Sequence, residues 1–322
     1  MINVINEKTL PELMLAPPET VGPNSAFPFL AINGAVTLNP EDAAWLRQAP
    51  CPIIAIGEGP TADACDTIVA DEKSLFVIAR NISAAPQTAL TLVQLLRMVG
   101  SLSLDHSLTA ESLAYATVQQ GAEFKAWRKG YAPNPAREAK SDERVDVEVT
   151  NKSCAITLNS PATRNEMTVN MRDALCAALD VPLLDRSIEH VRFSGVGACF
   201  SIGGAIDEFG TVADPLYAHW IRSVRLPARR LAKLSQRLHV HVNGAAIGAG
   251  VEMAAFGNRV TAAPNAWFQL PELKYGLIPG AGGAVSLSRR IGRQRTGYLA
   301  LSMKRITAKT AHQWGLVDDI FE

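Results

Sequence analysis

Residues 243–256 read NGAAIGAGVEMAAF and follow the alternating HVHV of residues 239–242. Alternation marks a half-buried strand, and the Gly/Ala-rich run behind it marks a turn into a short apolar helix. Small side chains leave room around a helix N-terminus, where unpaired N–H groups and the dipole favour negative charge. Glu252 is the only ionisable residue between His241 and Arg259. A carboxylate among apolar neighbours is costly to ionise, so Glu252 reads as a desolvated acid held for proton transfer. A glutamate that only complements the helix dipole is the plainer alternative.

Two neighbouring stretches extend this pattern. Downstream, WFQLPELKYGLIPGAGG (267–283) places Glu272 between apolar residues, with Pro271 fixing the backbone beside it and a glycine-rich turn behind. Two carboxylates in apolar settings suit acid/base chemistry near neutral pH, because different environments push their pKa values apart. Upstream, ACFSIGGAIDEFG (198–210) ends a strand in a Gly-Gly turn whose N–H groups can approach a ligand; alone, it also fits an ordinary loop.

Around this centre the second half alternates as an α/β unit. Strands are predicted at 153–158 and 190–194. A helix is predicted over 167–179, with Met171, Leu175 and Leu179 at four-residue spacing, and another over 216–238, interrupted by Pro227. A closing helix falls at 308–314. The proline- and charge-rich YAPNPAREAKSDER (131–144) is read as the domain boundary, giving an N-terminal unit of residues 1–140 and a C-terminal unit of 145–322. The N-terminal unit reads as strand FPFLAING, helix PEDAAWLRQA, strands CPIIAIGEG and DTIVADE, then helical segments over 84–128. Leu92, Leu95, Leu96 and Val99 share one apolar face there, and Leu113, Val118 and Phe124 form a second packed set.

Composition narrows the function classes. Of 322 residues, 31 are Lys or Arg and 31 are Asp or Glu, so the formal charge is zero and offers no field for nucleic acid or an anionic membrane surface. No apolar run approaches the ~18 residues of a membrane span and the N-terminus lacks a signal-peptide pattern, so a cytoplasmic protein is expected. The cysteines (Cys51, Cys65, Cys154, Cys176 and Cys199) are odd in number and widely spaced, which predicts reduced thiols. His239 and His241 share one strand face with no third ligand suggested, so no metal site is expected.

The motifs ITLNSPATRNEM, ACFSIGGAIDEF, VNGAAIGAGVEMA, FQLPELKYGLIPGAGG, LSRRIGRQR and ITAKTAHQWGLVDDI, in that order, resemble the enoyl-CoA hydratase/isomerase (crotonase) superfamily over residues 145–322. The resemblance implies an α/β fold, a crotonase-like spiral of ββα units, here with an additional small α/β plus helical N-terminal region. It also implies a homotrimer or hexamer, and an acyl-CoA thioester as substrate, with coenzyme A arriving as part of it and no cofactor tightly bound. Matched motif by motif, the backbone N–H groups of Gly204 and Ala249 would form an oxyanion hole for the thioester enolate. Glu252 and Glu272 would be the catalytic carboxylates, Glu272 at the α-carbon and Glu252 at the water. Ile202 and Ile206 would lie along the CoA adenine, and Arg164 near its diphosphate.

Retention of both glutamates favours hydration of a 2-enoyl-CoA. Isomerisation, thioester hydrolysis, ring cleavage, cofactor-free oxygenation of an aryl-acetyl-CoA, and a non-catalytic CoA-binding subunit are the alternatives. Two departures stand out. Ala205 replaces the family's loop aspartate, with Asp207 two places on, and the family's helical tail after GLV is missing. Residues 66–131 resemble that tail and are expected either to supply the cover or to be an unrelated helical extension. Independently of the family, Arg222, Arg225, Arg229, Lys233 and Arg237 recur every three or four positions. They are read as a basic stripe, either solvated or facing CoA phosphates or an acidic neighbour.

Overall fold

A computed structural model describes residues 4–6, 8–132 and 144–321. The expected boundary segment therefore lies almost wholly outside the described residues. Before it, β1 (Val4–Ile5), α1 (Thr9–Leu15), β2 (Leu30–Asn33), α2 (Pro40–Gln48), β3 (Ile53–Ile56) and β4 (Thr67–Val69) build a parallel sheet in the order β1-β2-β3-β4. Its central strands are apolar without alternation and almost wholly buried, as a covered parallel sheet requires. In FPFLAING, Phe27 makes only an isolated bridge to Val21 and the strand proper starts at Leu30, because Pro28 has no N–H for a ladder.

The helical stretch expected over 84–128 is part of four helices: α3 (Glu72–Ala84), α4 (Pro86–Val99), α5 (Leu104–Gln119) and α6 (Ala122–Gly130). Pro86 at N1 starts a new helix after Ala85, and the Glu123 carboxylate accepts the N–H groups of Gln87 and Thr88 at 2.8 and 2.9 Å to cap it. Leu92, Leu95, Leu96 and Val99 are buried together, as are Val118 and Phe124. Leu113 is not part of that set: it is 50% exposed, because the inward face of α5 runs through Leu108, Glu111 and Ser112 instead.

After residue 143, β5 (Arg144–Thr150) and β6 (Ser153–Asn159) form an antiparallel pair, followed by α7 (Val169–Leu184), which outruns its predicted end by a turn. A repeating unit then takes over. β7 (His190–Gly195) and β8 (Cys199–Ser201) lead to α8 (Pro215–Arg225) and α9 (Pro227–Leu234). β9 (Leu238–Val242) and β10 (Ala245–Ile247) lead to α10 (Ala249–Ala254). β11 (Arg259–Ala262) and β12 (Trp267–Gln269) lead to α11 (Gly283–Ile291) and α12 (Arg293–Ser302). In each turn the first strand joins one sheet and the second joins another. With β13 (Ile306–Thr307), α13 (Ala308–Trp314) and β14 (Asp319–Ile320), the sheets read β14-β11-β9-β7-β6-β5 and β13-β12-β10-β8. The single helix expected over 216–238 is thus two helices and a 3-10 turn, with an extended Leu226 ahead of Pro227 and with Leu238 opening β9.

One apolar core takes side chains from both halves, including Ile78, Leu92 and Leu96 from the helical layer and Leu231, Leu287 and Leu299 from the spiral. Polar clamps reinforce the seam at α12. Asn81 donates to the carbonyls of Leu301 and Ser302 at 2.9 and 3.1 Å, and Arg293 donates to the Cys65 carbonyl at 2.7 Å. Asp66, buried, takes Arg97 at 2.6 Å and the Ile53 N–H at 2.8 Å.

Candidate active site

The turns after β8 and β10 lie against each other. Gly203 has φ +87°, and a Cβ there would stand 2.6 Å from the Ile247 carbonyl and 3.3 Å from the Ala249 nitrogen, so only glycine allows the approach. Gly248, with φ +50°, sits so close to Glu272 that an added Cβ would be 2.6 Å from Oε1. Gly204, Ala249, Glu252 and Glu272 thereby line one cavity of about 190 Å³, together with Met167, Phe209, Leu226, Met253 and Ile278.

The expectation of separate apolar settings for the two acids is thus replaced by a shared one. Glu252, near the start of α10, accepts the N–H groups of Ala281 and Gly283 through one oxygen, at 2.7 and 2.8 Å. Burial nonetheless raises its pKa from 4.5 to about 7. Glu272 is raised well above the carboxylate range by burial and then by the charge of Glu252, and its Oε2 has no hydrogen-bond partner. Two buried acids that both hold their protons more tightly than an ordinary carboxyl, beside backbone N–H groups, can exchange protons with a bound substrate.

A third carboxylate comes from the N-terminal half. Glu111 on α5 is buried and accepts the N–H groups of Gly282 and Ala284 at 2.7 and 2.8 Å. Glu111 and Glu252 therefore take four successive amides in alternation. Burial first, and the charge of Glu252 second, push Glu111 well above its ordinary range. One turn further along α5, Tyr115 also lines the cavity: its ring lies over Gly280, where a Cβ would overlap it, and under the Arg222 guanidinium, 4.6 Å from the ring centroid.

Residues 148–322 match the family model for enoyl-CoA hydratase/isomerase. The chain belongs to that family. The 2,3-dehydroadipyl-CoA hydratase of Escherichia coli (strain K12) is 36% identical to it over 167 residues, covering 52% of this chain and 64% of that protein. The 1,2-epoxyphenylacetyl-CoA isomerase of the same organism is 35% identical over 167 residues, covering 50% and 63%. The chain thus spans slightly less than two thirds of these relatives' length. A crystal structure of an enoyl-CoA hydratase/isomerase from Marinobacter aquaeolei superposes with a TM-score of 0.50 at 28% identity, covering 55% of this chain and 70% of the other. The α/β architecture is the crotonase fold that the motifs implied, and the matched segment of this enoyl-CoA hydratase/isomerase family member contains Gly204, Ala249, Glu252 and Glu272.

The other expected site residues stand apart from the cavity lining. Arg164 is exposed, in the left-handed region at φ +58°, and its carbonyl accepts the Ile202 N–H at 3.2 Å, while Ile202 and Ile206 are half-buried. In the loop that lacks the family aspartate, Asp207 accepts the Tyr131 hydroxyl at 2.7 Å, so the N-terminal half holds this loop.

The expected basic stripe does not exist as one face. Arg222 and Arg229 turn inward to Ser112 and Thr109 of α5, Arg225 pairs with Asp173, and Arg237 donates to the carbonyls of Ile188 and Pro182. Among the described residues no cluster of His, Cys, Asp and Glu suits a metal, and His239 and His241 both meet the Thr261 hydroxyl. No described helix is long and apolar enough to cross a membrane. Sequence reading missed Glu111 and the cavity-lining Tyr115, and it took Arg222 only as one member of the basic stripe. The available signal was a glutamate in the middle of the otherwise apolar or small face of LTAESLAY.

Proposed function

We propose that this chain stabilises a thioester enolate and hydrates a 2-enoyl-CoA. The observation that carries this reading is the convergence of Glu252 and Glu272 with Gly204 and Ala249 on one small, largely apolar cavity. The Gly204 and Ala249 N–H groups receive the charge that develops on the thioester oxygen, a contribution of ~3–4 kcal/mol per donor in comparable sites. The positive end of α10 acts in the same direction. Glu252 activates the water that adds to the β-carbon, and Glu272 delivers the proton to the α-carbon. Coenzyme A enters as part of the substrate, with Arg164, Ile202 and Ile206 along it, and no cofactor is held. The helical layer α3–α6 closes the cavity, and the protein works as a soluble, cytoplasmic homotrimer or hexamer.

The similar identity to a hydratase and to an isomerase supports a second outcome on the same site, movement of a double bond through the same enolate. Absorbance of the conjugated thioester separates the two. Hydration removes it when 2-enoyl-CoA is supplied, whereas isomerisation creates it from 3-enoyl-CoA. Glu252→Gln and Glu272→Gln are each expected to lower the hydration kcat by ~100-fold or more. Hydration that survives both substitutions would falsify the assigned roles.

A further inference from the structure

Two hydrogen-bond donors at the cavity have no acceptor in the protein. Arg222 lines the cavity, gives its Nε to Ser112 Oγ at 3.2 Å and sits over the Tyr115 ring, yet its buried Nη2 has no partner. Among the described residues it forms no ion pair. The Tyr115 hydroxyl likewise makes no hydrogen bond among the described residues. The nearby acids do not serve these donors: both Glu111 oxygens and one Glu252 oxygen are taken by the amides of 281–284, and Glu272, whose Oε2 is itself without a partner, bonds to neither of them. A guanidinium withdrawn from water without a carboxylate is costly to keep, and it is the cation best shaped for a planar, two-oxygen acceptor. The other charged side chains of the lining are the two glutamates and Arg172, which is already paired with Asp173 at 2.8 Å; Phe209, Leu226, Met253 and Ile278 are apolar and suit the intervening methylenes.

We propose that Arg222 and Tyr115 form the acyl-end subsite of this cavity and select a short acyl-CoA whose chain ends in a carboxylate. This rests on the acyl-CoA reading above and adds a substrate class to it. Arg222 pairs with the terminal carboxylate and Tyr115 donates to one of its oxygens; neither takes part in the proton transfers. A methyl-terminated chain of equal length would leave both donors unpaired, which is the arrangement that discriminates most strongly between substrates.

The test is a binding series on the full-length protein, which does not depend on turnover. Calorimetric Kd values are compared for succinyl-, glutaryl- and adipyl-CoA against butanoyl-, pentanoyl- and hexanoyl-CoA. At one chain length or more, the carboxylate-terminated thioester is expected to bind at least ~10-fold tighter. Arg222→Met should remove that preference, weakening the carboxylate-terminated thioesters relative to the methyl-terminated ones at every length, and the near-isosteric Tyr115→Phe should reduce it several-fold. Equal affinities at every length, or a preference that survives Arg222→Met, overturns the proposal. If Arg222→Met does not fold, the wild-type series and Tyr115→Phe decide the question. A carboxylate preference without hydration of any enoyl thioester would sink the hydratase reading and leave this subsite standing; hydration without the preference would do the reverse.

Discussion

Glu111 and Glu252 divide a run of four successive amides between them, two each, and burial makes both costly to ionise. This gives stability a pH dependence of definite sign. The folded chain keeps a proton on Glu252 up to about pH 7, whereas the unfolded chain releases it near 4.5. The stability contributed by that proton is complete below the lower value and is lost as pH rises through the upper one. Glu111 and Glu272, also raised, act in the same direction. Urea midpoints are therefore expected to fall from about pH 5 to about pH 8, and less steeply in Glu252→Gln. A midpoint flat across that range in the wild type would contradict the burial of these acids. Glu252 and Glu272 were legible in the sequence because each has apolar immediate neighbours within a glycine-containing stretch. Glu111 was not, since its partners lie 171 and 173 positions away and a lone glutamate on a helix ordinarily faces water.

Among the elements, α5 and α12 carry the junction between the halves. Gly280 lets the Tyr115 ring lie on the loop ahead of α11, and a methyl group there would force the ring or the helix away. Gly280→Ala is expected to lower activity while far-UV circular dichroism stays unchanged; retained activity would show that α5 can move freely. At the end of α12, Asn81 satisfies two carbonyls that helix geometry leaves without donors. Asn81→Leu should cost about 1–3 kcal/mol in chemical denaturation, the expense of burying unpaired polar groups. The basic stripe illustrates where element-scale reading fails. Its three-to-four spacing assumes one continuous helix, but Leu226–Pro227 starts a new one, so the arginines diverge to α5, to Asp173 and to the carbonyls of Ile188 and Pro182. Strand order could not be read either, because successive strands of each turn enter different sheets and nothing in their composition distinguishes them.

The whole molecule has a larger apolar core common to both halves, and a smaller one confined to the N-terminal sheet. The helical layer and the spiral should therefore melt in one transition, followed by circular dichroism and tryptophan fluorescence together. Asp66→Ala leaves the Arg97 guanidinium without its buried carboxylate and is expected to lower stability by about 3–5 kcal/mol in that same transition. Two separated transitions would show that the halves fold independently. The alternation over residues 281–284 has a final consequence for chain length. One acid reads the odd-numbered amides from α10 and the other reads the even-numbered ones from α5, so the loop works as a counted register shared by the two halves. A single residue inserted between Gly280 and Ala281 would hand every amide to the wrong acid, whereas a longer insertion in a surface turn elsewhere would leave this register untouched.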